Sequence, residues 1–180
     1  KTLYYHNIKH TIDVVVQVEN IGYAEGISDT EMYILKTAAL FHDSGFIYAY
    51  KNHEQESIAI ARRILPKEGY SQEQIDQVCE LINATILTEE PKNLLECIIR
   101  DADLDYLGRE DYVPVSRELY KELLEHKLIK KNEYEWCLGQ VKFLEEHKYY
   151  TSYSRSQRNP GKVRHLQKIQ EQITRFNNIN

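Results

Sequence analysis

The chain has 180 residues, 28% of them charged and 42% hydrophobic, with a formal net charge of −5. That length is one ordinary domain with room for a sizeable core, and the composition excludes a disordered polymer. No apolar run approaches the roughly 20 residues that span a bilayer, and the acidic balance argues against a dedicated nucleic-acid binder. Cys79, Cys97 and Cys137 are odd in number and widely spaced, with no Cys-x-x-Cys. This speaks against a disulfide framework or a zinc knuckle and makes a reducing, cytoplasmic setting the expectation. The opening Lys1-Thr2-Leu3-Tyr4-Tyr5 has neither an initiator Met nor a signal-peptide pattern, so it reads as the start of a fragment.

Hydrophobic spacing stays close to 3.6 almost throughout and predicts an all-α fold. A first helix is expected from about Leu3 to Ile21, with Ile8, Ile12, Val15 and Val16 facing inward. Ser28-Asp29-Thr30-Glu31 has the pattern of a capping box and opens a second helix, which carries Ala38, Ala39 and Leu40 and stops near Gly45. Asn52 is placed to cap a helix from His53 to Leu65, ended by Pro66 and Gly69. Ser71 opens the next, to about Leu87, and Pro91 breaks the chain. Further helices are expected over Lys92–Leu107, Tyr112–His126 and Asn132–His147. The polar stretch 148–160 reads as irregular, and a last helix spans Gly161–Phe176. With no repeat and no linker, residues 1–180 form one domain in this reading, with 148–180 a basic tail and final helix.

Several polar residues fall at apolar helix positions. His42 lies one turn after Ala38 and Ala39, and Asp43 one turn after Ala39 and Leu40. A charge on such a face is costly unless it is paired or bound to a cation, and the negative end of the helix dipole favours a cation there. The alternative is a helix cap with a solvated carboxylate. His6 and His10 are four apart and share a helical face, as two ligands, as one ligand and one substrate contact, or as an exposed stripe. Asp101, Asp103 and Asp105 crowd three carboxylates into five residues. Asp103 has the apolar Ile99, Tyr106 and Leu107 as helical neighbours, and Asp101 has Cys97, Ile98 and Leu104, so periodicity does not separate the two.

Competing motifs are absent. His53-Glu54 begins like a zinc-protease helix, but position 57 is Ser57. There is no phosphate-binding Gly-x-x-x-x-Gly-Lys, no Gly-x-Gly-x-x-Gly and no Gly-x-Ser-x-Gly.

Taken together, Tyr-His-Asn-x-x-His-Thr-x-x-Val-Val, Ala-Ala-Leu-Phe-His-Asp-Ser-Gly-Phe, Asn-His-Glu-x-x-Ser-x-x-Ile-Ala and Asp-Ala-Asp-Leu-Asp-Tyr resemble the HD-domain superfamily of metal-dependent phosphohydrolases. The resemblance covers roughly residues 4 to 110. It implies a helical bundle in which His10, His42, Asp43 and Asp103 hold one divalent ion: Mn, Fe, Ni, Co, Mg or Zn. His53-Glu54 matches the family's second-shell or second-metal position. No histidine lies between His53 and His126, where binuclear members carry another, which favours a single ion. The Gly-Tyr-Pro of the cyclic-di-GMP phosphodiesterase branch is missing.

The implied activity is hydrolysis of a nucleotide or similar small phosphate ester by a metal-activated water, with His53, Glu54 and Asp101 as candidate acid–base groups. The rival reading is a regulatory module that binds a nucleotide and a metal without turnover. From His147 to Gln170 the chain has six Lys and Arg and no acidic residue. Arg155, Arg158 and Lys162 in that stretch are candidate ligands of substrate phosphate, beside His6; the alternative is a solvated basic face. The expected partner is a small phosphate-containing substrate, with no membrane and no dedicated nucleic-acid binding; an oligomer is left open.

Overall fold

The computed structural model describes residues 2–130 and 132–179, and their regular structure is helical, with no strand among them. Packing divides the chain into two compact units. The first, His6–Leu104, holds α1 (Ile8–Glu25), α2 (Asp29–Phe41), α3 (His53–Ile64), α4 (Gln72–Asn83) and α5 (Leu94–Asp103). No helix among the described residues is long and apolar enough to cross a membrane.

Local chemistry sets the helix ends of this unit. Asn7 accepts the Lys9 N–H at the start of α1. Gly26 ends it at φ 76°, a left-handed conformation in which a side chain would be strained, and Ile27 N–H reaches back to Gly22 O. Both capping boxes form: Ser28 with Glu31 at α2 and Ser71 with Gln74 at α4. Asn52 precedes α3 in a left-handed conformation (φ 58°) with no side-chain cap, so its role is the turn rather than the hydrogen bond foreseen for it.

α1 packs on α2 and α5, and α4 packs on α2 and α3. The fully buried Val18, Ile21, Leu35, Ala38, Ala39, Val78, Ile82, Ile98 and Ile99 form the core between them. Ala38 and Ala39 have little side chain to hold the neighbouring helices off α2. The inward face expected for α1 is corrected here. Ile8, Ile12 and Val16 are exposed (69%, 55% and 44%), and Val15 is half-buried, while His10, Val14, Gln17, Val18 and Ile21 face inward. Both sets have helical spacing, and packing against α2 and α5 selects the second. α4 stops at Asn83, short of Leu87. The buried Arg100 guanidinium donates to the carbonyls of Ala84, Ile86 and Glu89 and so holds the chain that leaves the helix.

The second unit comprises the chain from Asp105 onward with the segment ending at Tyr5. It contains a 3-10 turn at Asp105–Gly108 and helices α6 (Tyr112–Glu125), α7 (Glu133–Glu146), α8 (Ser152–Gln157) and α9 (Asn159–Ile179). α9 packs on α7, α8 and the 3-10 turn. A Cβ at Gly161 would run into the carbonyl oxygen of Gly108, so this crossing needs glycine. The fully buried Glu122 carboxylate accepts the Tyr5 N–H at 2.8 Å. The stretch expected to be irregular folds instead into α8 and the start of α9. Thr151 caps α8 by accepting the Ser154 N–H, and Pro160 sits in the first turn of α9, where its missing N–H costs nothing.

Candidate metal centre

The first unit brings His10 of α1, the His42-Asp43 pair that follows α2, and Asp103 at the end of α5 to one point. His10 Nε2 lies 3.1 Å from Asp103 Oδ1 and 3.4 Å from Asp43 Oδ2. His42 Nε2 lies 3.2 Å from Asp43 Oδ2 and 3.6 Å from Asp103 Oδ1. The two Nε2 atoms are 3.4 Å apart. His10 and His42 are 9% and 0% exposed.

Two details suit the cluster to a cation. His42 Nδ1 is 2.8 Å from the Ala39 carbonyl, an acceptor, so Nδ1 carries the hydrogen and Nε2 of the neutral ring turns a lone pair to the cluster. Asp43 Oδ2 is buried and makes no hydrogen bond. A nitrogen lone pair facing a second imidazole nitrogen and two carboxylate oxygens calls for positive charge at their centre. His10, His42 and Asp43 alone already offer ligand atoms within 4.8 Å of one another. This nitrogen and oxygen donor set fits a divalent cation.

The close approach of these groups shifts their own titrations. Burial opposes a charge on His42, but the negative charges of Asp43 and Asp103 beside it outweigh it and hold its pKa well above the usual value. Burial likewise opposes the Asp43 carboxylate, yet His42 and the hydrogen bond to His53 keep it well below the usual range. Asp103 is also lowered, burial being overcome by its hydrogen bonds to His10 and His42.

Ser57 locks the backbone that carries the pair. Its hydroxyl, fully buried, donates to the His42 carbonyl (2.7 Å) and accepts the Gly45 N–H (2.8 Å). Ser57→Ala orphans both groups and should cost about 1–3 kcal/mol in stability, read as a lower urea midpoint with unchanged slope.

His53, the first residue of α3, places Nε2 3.4 Å from Asp43 Oδ1 and 3.6 Å from Glu54 Oε1. Burial again opposes its charge, but the hydrogen bond to Asp43 and the charges of Asp43 and Glu54 raise its pKa. His6 precedes α1 and so does not share a helical face with His10, as the i,i+4 spacing implied. Its ring still reaches the site: it stacks on Phe46 (centroids 4.1 Å) and meets His10 edge-on at 6.0 Å. Phe46 stacks on His53 from its other contact at 3.9 Å, tying His6 and His53 into one aromatic group. Nothing in the sequence marks Phe46 for this role beyond its place three residues after Asp43.

Asp101 and Asp103 are separated by about 200° around α5, at about 100° per residue, so they leave opposite sides of the helix. Asp101 is fully buried. The three tail cations are engaged within the second unit. Arg158 Nε pairs with the fully buried Asp105 at 2.7 Å, and Arg109 adds a second cation to that carboxylate at 3.6 Å. Lys162 donates to the His147 carbonyl, and Arg155 to the Tyr150 carbonyl.

Comparison with known families gives one finding: the sequence model of the HD domain matches residues 7–105. That stretch contains all four clustered residues. No curated protein and no solved structure matches the chain.

Proposed function

We propose a function from one premise: the chain belongs to the HD-domain family. Members of this family bind divalent metals and are in general hydrolases. We infer that this protein is a metal-dependent phosphohydrolase acting on a nucleotide or similar small phosphate ester. The observation that carries the reading is the convergence of His10, His42, Asp43 and Asp103, with Asp43 Oδ2 buried and unbonded among nitrogen and oxygen donors.

His10 and His42 would hold the ion through Nε2, and Asp43 and Asp103 through carboxylate oxygen. A bound divalent ion lowers the pKa of water and offsets charge on a phosphoryl oxygen. The protein's own groups do the rest. Ala39 O fixes the His42 tautomer, and Ser57 fixes the turn after it. His53, beside Asp43 and Glu54, would serve as the group that gives a proton to a leaving oxygen. The Phe46 stack restrains the His6 and His53 rings.

An ion would compete with protons for the histidine nitrogens and carboxylates, so affinity should rise with pH and binding should release protons. Calorimetry of Mn²⁺ binding in buffers of different ionisation enthalpy should give heats that differ in proportion to that release. The ion-free protein has its own pH dependence. His42 is raised in the folded state, so its contribution is full below the unfolded value of about 6.5 and is lost as pH rises through the folded value.

The test of the function is hydrolysis of a general phosphatase substrate and a nucleotide panel after reconstitution with each candidate ion. Metal-dependent turnover supports the reading. Saturable nucleotide binding with no turnover under any ion would instead make the protein a regulatory module.

A further inference from the structure

The second unit contains a cleft of about 640 Å³ between α6, α7 and α9, which the metal chemistry does not use. Its volume lies in the range of small-molecule sites, and its lining has their usual character, aromatic walls with a few polar groups. Tyr120 and Trp136 form one wall, with ring centroids 5.0 Å apart. Tyr112, Ser116 and Gln140 form the floor, all three buried.

The hydrogen bonds of the floor leave one donor turned to the cleft. Tyr112 Oη donates to Gln140 Oε1 at 2.8 Å, and Ser116 Oγ donates to the same oxygen at 3.3 Å. Burial pushes the Tyr112 phenol up to about 12, which keeps its proton on. Both hydroxyls therefore share one end of the carboxamide. The other end, Nε2, makes no hydrogen bond among the described residues, although Gln140 is only 8% exposed. Nε2 keeps access to water and lines a space large enough to admit an acceptor. The indole N–H of Trp136 and the guanidinium of Arg117 also line the cleft with no acceptor among the described residues. The free polar groups are thus mainly donors. Glu133, exposed at the rim, is the acidic exception, so an anionic group would sit on the Arg117 side.

We propose that this cleft binds a planar aromatic molecule bearing a carboxylate, with its ring against Tyr120 and Trp136 and its carboxylate on Gln140 Nε2 and Arg117. The three donors select acceptors, the guanidinium selects negative charge, and the two rings select a flat apolar body. This site is independent of the metal centre, and the experiment keeps the two apart by using ion-free protein.

Trp136 is the only tryptophan, so the ¹⁵N-labelled protein has one indole N–H resonance, and that resonance reports this cleft. Titration of the ion-free full chain with 2-naphthoate should move it saturably, and the neutral 2-naphthalenemethanol should bind much more weakly. Gln140→Glu keeps an acceptor for Tyr112 and Ser116 but places negative charge against the carboxylate. Arg117→Gln removes the rim cation at an exposed position. Each should weaken naphthoate binding about tenfold or more, as loss of a hydrogen bond to a charged group implies. Arg117→Gln serves alone if Gln140→Glu does not fold. An indole resonance that does not move saturably, equal binding of the neutral alcohol, or undiminished binding in the variants overturns the proposal.

Discussion

Asp43→Ala should abolish ion retention and hydrolysis together and remove the stabilisation that a bound ion would give the fold. Asp43 stands between both histidines of the cluster and His53, at 3.2 to 3.4 Å from each. One carboxylate oxygen faces His10 and His42, and the other faces His53, so no neighbour can substitute for it. Loss of a group that merely orients a metal ligand costs about 10–100-fold in affinity or activity, and loss of the ligand itself should exceed that. A bound ion at 100 times its dissociation constant stabilises a protein by about 2.7 kcal/mol. Differential scanning calorimetry with and without Mn²⁺ should show that increment in the wild type and none in Asp43→Ala. The ion-free variant should remain folded, because removal of the carboxylate also removes the reason for His42 to carry a buried charge. Undiminished activity in an ion-replete variant would take Asp43 out of the site.

Gly45→Ala has the second large effect, and it reaches the site through the backbone. A Cβ at this position would collide with the carbonyl oxygen of His53 and stand 2.8 Å from Glu56 Cβ. His53 is the first residue of α3, so relief of the clash must move the start of that helix away from the turn carrying Asp43 and Phe46. Overpacking of this kind costs about 1–3 kcal/mol. The displacement also breaks the 3.4 Å approach of His53 to Asp43 and the Phe46 stack. The expected outcome is a lower urea midpoint with a fall in kcat that exceeds the fall in ion affinity, since His53 moves with α3 while His10, His42 and Asp103 lie outside the clash. Equal kcat in the folded variant would separate His53 from the chemistry.

The capping boxes at Ser28 and Ser71 were legible because each is a local exchange of hydrogen bonds across four residues. His42-Asp43 stood out because two polar residues continue the face of Ala38 and Ala39, both fully buried. The buried face of α1 was not legible: two apolar sets share the helical period, and only packing on α2 and α5 decides between them. Asp101 and Asp103 were equally ambiguous, since each has apolar neighbours along α5. The His6–Phe46–His53 stack joins a turn, a 3-10 segment and a helix start, and no periodicity links such residues. α8 is six residues of polar sequence and is set by the Thr151 cap rather than by an apolar stripe.

Anomalous diffraction from crystals grown with Mn²⁺ tests the central claim most directly. The structure predicts one strong peak among Nε2 of His10, Nε2 of His42 and the carboxylates of Asp43 and Asp103, at about 2.0–2.5 Å from each ligand atom. A peak that excludes Asp43 or Asp103, or no peak at this cluster at full occupancy elsewhere, would contradict it.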